Sequence, residues 1–157
     1  MGNLKLTSSS FSDGGEIPRI FGYKNGNKHP TLFVSEMPEG TEYLALIMDD
    51  PDAMGAVGKV WLHWIVWDIV PTMKDHMDNF PDTVDSGGAG YEGINDFDET
   101  GYGGPAPPDK RHTYVFKVYA LDGTLKGINS ESTKADVEKA MEGHIIEQAT
   151  LTGTYAP

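Results

Sequence analysis

The 157 residues carry 24 acidic against 12 basic side chains, a formal net charge of −12, and no cysteine. No Lys/Arg cluster interrupts that balance, so a nucleic-acid backbone would be repelled at long range and no nucleic-acid partner is expected. Disulfides and thiolate metal centres are excluded, and scattered glycine and proline beside 10% aromatic residues argue against collagen-like or disordered chains.

The length suits a single domain, residues 1–157, with one sizeable core. No run approaches the ~20 apolar residues of a membrane-spanning helix. The opening Met1-Gly2-Asn3-Leu4-Lys5-Leu6 lacks the apolar core of a signal peptide and puts Leu6 where a myristoylation motif wants Ser or Thr. A soluble, cytoplasmic protein without a transmembrane segment is the expectation.

In chain order, Leu4 to Phe11 alternates loosely and stops at the turn signal Asp13-Gly14-Gly15. Asn25-Gly26 suits positive φ and predicts a tight turn. Pro30-Thr31-Leu32-Phe33-Val34 reads as a short strand, with Pro30 at its first position, where a missing N–H matters least. Tyr43 to Met48 is a short apolar run bounded by turns, the pattern of a buried strand. Val60 to Val70 is rich in aromatic and β-branched residues and predicts another. Alternation places Trp61, His63, Ile65 and Trp67 on one of its faces and Leu62, Trp64, Val66 and Asp68 on the other. Residues 72–110, with little apolar density and many Gly, Asp and Pro, predict a long irregular stretch of the kind that carries function. Tyr114 to Leu121 restores the strand pattern, with Tyr114, Phe116, Val118 and Ala120 sharing a face. One helix is predicted: Thr133 caps it with Asp136 three residues on, and Val137, Ala140, Met141, His144 and Ile145 follow at helical spacing, ending near Gly143. Ala149, Leu151, Gly153 and Tyr155 alternate as a last strand. Several strands with one late helix predict an all-β sandwich with minor α.

Two polar stretches organise the rest: Asp49-Asp50-Pro51-Asp52-Ala53 after one apolar run, and Gly101-Tyr102-Gly103-Gly104-Pro105-Ala106-Pro107-Pro108 before another. Ordering each backbone residue of such loops costs roughly 1–2 kcal/mol, which favours a built site over spare connections. His63 lies inside an apolar strand and needs a partner. A core imidazole bonded to a carbonyl is the plain reading; a carboxylate from Asp50 or Asp52 on the neighbouring strand is the functional one. His112 and Tyr114, two apart, project to one face, as an ordinary pair or as two donors aimed into a cavity. Gly103-Gly104 could expose N–H groups as an anion nest does, and the following prolines stiffen that loop. Trp61, Trp64 and Trp67 read as core, with Trp61 beside His63. His29 and His76 read as solvated, and His144 as packed at the helix end. Asp49, Asp50, Asp52 and the two histidines would also suit an oxygen/nitrogen metal site, but that spacing is unspecific, and no metal or cofactor is expected. No nucleophile elbow, phosphate-binding Walker loop or zinc-protease helix is present, so no catalytic residue is assigned and the protein is not read as an enzyme.

Asp50-Pro51-Asp52-Ala53, then Trp61-Leu62-His63-Trp64, then Gly104 through His112-Thr113-Tyr114 resemble the phosphatidylethanolamine-binding protein family, in its bacterial and archaeal, Raf kinase inhibitor-like branch. The likeness runs from Phe11 to Gly153-Thr154-Tyr155. It implies a Greek-key antiparallel β-sandwich whose cavity takes phosphate-like groups and phospholipid headgroups, and, from eukaryotic relatives, kinase or protease regulation. The ligand-binding set it implies, together with the residue reading, is Asp50, Asp52, Trp61, His63, Gly104, Pro105, His112 and Tyr114. Met54 stands where the family commonly has proline, and Thr113 where many members have arginine, with Arg111 as a substitute charge. The expected partner is a small anionic ligand, phosphate or phosphoethanolamine-like. A protein partner acting through an outer loop, a homodimer and a cryptic hydrolase are the alternatives.

Overall fold

The computed structural model describes residues 3–71, 76–80 and 90–157, with 77–80 described through their backbone alone. Eleven elements follow in order: β1 (Lys5–Ser8), β2 (Gly15–Glu16), β3 (Leu32–Ser35), β4 (Tyr43–Asp50), α1 (Ala53–Val57), β5 (Trp61–Ile69), β6 (Met77–Phe80), β7 (Tyr91–Glu92), β8 (His112–Leu121), α2 (Lys134–Met141) and β9 (Ile145–Tyr155), with one 3-10 turn at Arg19–Phe21. They form a three-stranded sheet, β1-β3-β6, and a six-stranded sheet, β2-β9-β8-β4-β5-β7. In the larger sheet β4, β5 and β7 lie side by side and β8 returns beside β4, all antiparallel, which is Greek-key order. The short β2 pairs with β9 in parallel and departs from the antiparallel expectation.

The expected all-β sandwich with one late helix is what forms. The apolar run of β4 has no polar alternation because both its faces are covered. Leu44, Leu46 and Met48 join the core between the sheets, with Leu6, Val34, Trp64, Phe116 and Leu151. Ala45 and Ile47 face the other way, under Val137 and Met141 of α2. Tyr114, Phe116, Val118 and Ala120 of β8 all lie in the inter-sheet core, as alternation predicts.

Thr133 caps α2 in a reciprocal box: its hydroxyl accepts from the Asp136 N–H (3.1 Å), and the Asp136 carboxylate accepts from the Thr133 N–H (3.0 Å). The helix ends at Met141 rather than running on to Ile145. Gly143 adopts φ 82°, and β9 starts at Ile145. His144 therefore caps no apolar stripe but pairs with Asp122 (2.8 Å) at the surface. The irregular stretch expected over 72–110 falls partly outside the described residues, and its described portion includes β6 and β7.

Strict alternation fails in β5, for a local reason that matters to the site. Met48 pairs with Trp64 and Asp49 with Leu62, so His63 has no partner opposite it and forms a bulge. Below the bulge Ile65 and Trp67 face α2, as expected of one face. Above it Trp61 pairs with Asp50 and lines a cavity with His63, while Leu62 joins the α2 layer. The bulge re-aims the strand end so that Trp61 and His63 both reach the inner side. Thr133→Ala removes one half of the capping box and should lower stability by about 0.5–2 kcal/mol in a urea titration, leaving the site residues' spectra unchanged.

Candidate functional site

Three adjacent strands end together at one edge of the six-stranded sheet. Asp50 closes β4, Trp61 and His63 open β5, and His112 and Tyr114 open β8. They enclose a cavity of about 120 Å³, completed by Ala53, Ala56 and Val57 of α1, Phe97, Ala106 and Pro108. Of the eight expected ligand-binding residues, Asp50, Trp61, His63, His112 and Tyr114 are brought together here.

His112 is held at both ring nitrogens. Nδ1 donates to Asp50 Oδ2 (2.6 Å), and Nε2 donates to Asp109 Oδ1 (2.7 Å). A neutral imidazole has one N–H and would set a lone pair against one of these carboxylates, so the geometry calls for imidazolium. Burial of the ring works against that charge, but the hydrogen bonds to Asp50 and Asp109 outweigh it and raise the His112 pKa above the ordinary imidazole value. The same bond to His112 draws the Asp109 carboxyl below the usual carboxylate range. The second Asp50 oxygen accepts from the Asp52 N–H (2.9 Å), fixing the carboxylate.

His63 differs. Its Nδ1 donates to the Gly103 carbonyl (2.6 Å), and the Gly103 N–H donates back to the His63 carbonyl (2.9 Å). Burial lowers its pKa, and the Gly103 carbonyl and the more distant Asp50 only partly compensate. The expectation that an aspartate pairs directly with this ring is therefore corrected, because the bulge turns His63 toward the 101–104 loop and leaves Asp50 to His112. Tyr114 stands between the two imidazoles, its ring 5.1 Å from His63 and 6.3 Å from His112. Its hydroxyl is buried without a hydrogen-bond partner, as is the indole N–H of Trp61. Burial, then the charge of Asp50, pushes the phenol far above its ordinary pKa, so Tyr114 keeps its proton; Asp50 and the Ala106 carbonyl influence the group without reaching hydrogen-bond geometry.

The other expected residues have different tasks. Asp52 accepts from the Thr113 N–H (2.8 Å) and ties α1 to the start of β8. Gly104 offers no free N–H, since that group donates to Asn27 Oδ1 (2.7 Å), and the Gly103 N–H is taken by His63. The anion-nest reading of this pair is corrected: the glycines allow close approach. A Cβ on Gly104 would lie 2.0 Å from the Phe21 carbonyl oxygen, and one on Gly103 would lie 2.5 Å from the Phe97 ring. Pro105 faces a separate groove with Arg19, Lys24 and Tyr155. His29 is half-buried rather than solvated, its ring stacked on Trp64 (5.3 Å), and His76 is half-buried.

Sequence reasoning missed Phe97, the α1 residues, Pro108 and Asp109. Phe97 was legible as an aromatic in a polar stretch. Its position depends on the buried Asn95, whose Oδ1 accepts from the Phe97 and Glu99 N–H groups, and on a parallel stack against Tyr23 (4.0 Å). No spacing rule shows such a contact.

The family model described as phosphatidylethanolamine-binding protein matches residues 7–156. The chain belongs to the phosphatidylethanolamine-binding protein family. Its relatives place it in the bacterial and archaeal branch. UPF0098 proteins of Aquifex aeolicus and Methanothermobacter thermautotrophicus are each 38% identical, covering 97% of this chain and 88% and 98% of their own lengths. A crystal structure of a phosphatidylethanolamine-binding protein homologue from Chlamydia trachomatis superposes with a TM-score of 0.83 at 35% identity, covering 97% of this chain and 96% of that one. A member of the same family from E. coli gives 0.82 at 30% identity, covering 98% of each.

Against the pattern of the phosphatidylethanolamine-binding protein family, Met54 sits on α1 with its side chain 54% exposed. Arg111 does not take up the role of the missing arginine at 113. It points to β2 and β9, bonding Glu16 and Thr154 (3.2 Å each).

Asp50→Asn should remove the upward shift of the His112 pKa, and removing one partner of a buried pair should cost on the order of 3 kcal/mol. The contribution of His112, with its pKa raised on folding, is present below about pH 6.5 and lost as pH rises through the raised value. That of His63, with its pKa lowered, has the opposite sign and is lost as pH falls. Imidazole NMR titrations should show His112 above and His63 below the ordinary value in the native protein. Gly104→Ala drives a methyl group into the Phe21–Tyr23 backbone and should destabilise by about 1–3 kcal/mol or more in denaturant unfolding.

Proposed function

We propose that the cavity binds a small anionic, phosphate-like group and does not turn it over. The observation that carries this reading is a buried imidazolium on a cavity that also presents two buried donors without partners, Tyr114 Oη–H and Trp61 Nε1–H. An orphaned buried donor costs roughly 1–3 kcal/mol, which an acceptor-rich ligand would relieve. Size limits the ligand. About 120 Å³ is below the roughly 300–1,000 Å³ of pockets for drug-sized molecules, so the cavity suits a headgroup or free anion rather than a whole lipid. The family's name, phosphatidylethanolamine-binding protein, is consistent with such a group.

Turnover has little support. Both nitrogens of His112 are occupied, Tyr114 keeps its proton, and among the described residues no Ser or Thr lines the cavity. A second reading, a protein-interaction module that regulates a kinase or protease, is favoured by one observation: Met54 and Val57 stand more than half exposed on α1 beside the cavity. Met54→Lys, outside the cavity lining, should abolish partner capture while leaving anion binding intact, if that reading holds.

Calorimetry with phosphate and with phosphoethanolamine tests the anion reading. Binding should be tighter at pH 6 than at pH 8, because His112 loses its charge as pH rises. Tyr114→Phe and Trp61→Phe should each weaken it about tenfold, the scale of one hydrogen bond to a charged group. Equal affinity at both pH values, or indifference to both substitutions, would sink the proposal.

A further inference from the structure

The two carboxylates on His112 are not equivalent. Asp50 belongs to the central strand β4, its side chain is 4% exposed, and its second oxygen is fixed by the Asp52 N–H. Asp109 belongs to the loop that enters β8, three residues before the histidine, and its side chain is 44% exposed. The oxygen it gives to His112 is shared with the adjacent Lys110 N–H (2.9 Å). A buried, doubly held carboxylate is costly to remove, whereas an exposed one on a loop exchanges readily with solvent. Together they leave the His112 imidazolium no N–H to offer a ligand.

We propose that Asp109 is an internal competitor for the anion position at His112 Nε2, and that the ligand is a singly charged oxyanion that displaces it. The inference rests on the anion-binding reading above and adds the ligand's charge and the residue that sets its affinity. An oxyanion donated to by His112 Nε2 takes the same geometry the Asp109 carboxylate has at 2.7 Å. Asp109 itself lies outside the cavity lining, while its neighbour Pro108 lies in it, so withdrawal of the loop joins the Nε2 position to the hollow lined by Tyr114 and Trp61.

The charge class follows from a tally. Asp50 and Asp109 set two negative charges against one imidazolium. Burial holds His63 toward its neutral form, and among the described residues no Lys or Arg lines the cavity. A monoanion in place of Asp109 leaves that balance as it was; a dianion adds a further negative charge beside Asp50, in a chain already at −12. Phosphodiesters and carboxylates are monoanions at neutral pH, and a phosphomonoester, with a second pKa near 6, is largely a dianion. A lipid headgroup and a free phosphodiester share the favoured chemistry.

The test is calorimetry at pH 7.5 with dimethyl phosphate, a monoanionic diester, and methyl phosphate, a monoester. Asp109→Ala should bind dimethyl phosphate about tenfold more tightly than the native chain, the gain expected when a state closed about nine-tenths of the time is opened. Asp109→Asn, which keeps a neutral acceptor, should fall between and serves if the alanine variant folds poorly. The native chain should prefer dimethyl phosphate to methyl phosphate. Vesicles with and without anionic phosphodiester lipid then separate the two sources, since depletion of the protein by the anionic vesicles alone marks a headgroup and its absence a free ligand. Dimethyl phosphate binding that is unchanged or weaker in both Asp109 variants overturns the competitor while leaving the anion reading standing. A native preference for methyl phosphate overturns the charge class, and no binding of either probe by any of the three proteins overturns the anion reading and this inference with it.

Discussion

The hydrogen bond between Asp50 and His112 is the constraint on which the site depends. Two consecutive aspartates end the central strand, and both are nearly inaccessible to solvent. A buried carboxylate is tolerated when it is paired, and pleating sends the two to opposite faces. Asp49 meets Lys134 at the start of α2 (2.8 Å), and Asp50 meets His112 on β8 (2.6 Å). Slipping β4 by one residue against β8 would exchange these faces and leave both charges without their cations. The pair of bonds therefore fixes register at the sheet end where the cavity opens, and sets a positive ring into its wall.

One residue type behaves in two ways across a few ångströms. His63 and His112 flank the same tyrosine, yet burial lowers the pKa of one while flanking carboxylates raise that of the other. The difference lies in the partner. The Gly103 carbonyl offers His63 a partial charge, which orients the ring without making up for lost hydration. Asp50 and Asp109 offer His112 full charges, which do. The cavity thus has one ring held toward the cationic form and one held toward the neutral form, not a pair of cations.

Where residues speak through local pattern, the sequence was legible. The unbroken apolar run of β4, the aromatic run of β5, the alternation of β8 and the Thr133–Asp136 box all lie where periodicity and capping chemistry put them. Five of the eight proposed site residues surround one cavity. What escaped depends on contacts distant in the chain. His63 occupies a bulge because the pairing of β5 with β4 shifts register between Met48 and Asp49, which no reading of β5 alone reveals. Gly103 and Gly104 read as a nest or a plain turn, and their close-approach role shows only when Phe97 and the Phe21 carbonyl are placed against them. Asp109 carries no spacing signal that sets it apart from the other acidic residues, and its bond to His112 Nε2 comes from the path of the loop.

That path has an anchored half and a looser one. Gly103 exchanges two bonds with His63, the Gly104 N–H is held by Asn27, the Pro105 carbonyl accepts from the Tyr23 N–H (2.9 Å), and the Tyr102 hydroxyl donates to the Phe21 carbonyl (2.8 Å). Residues 102–105 are thereby fastened to a second loop, and their ordering entropy is offset by bonds that exclude water. From Pro108 to Arg111 the chain is exposed; Pro108 lines the cavity, Asp109 bonds His112, and Arg111 bonds Glu16 and Thr154. A wall fixed at one end, and held at the other by the exposed side chains of Asp109 and Arg111, can yield there without disturbing the sheet. The imidazolium it covers would remain in place, because Asp50, on the rigid side, still holds it.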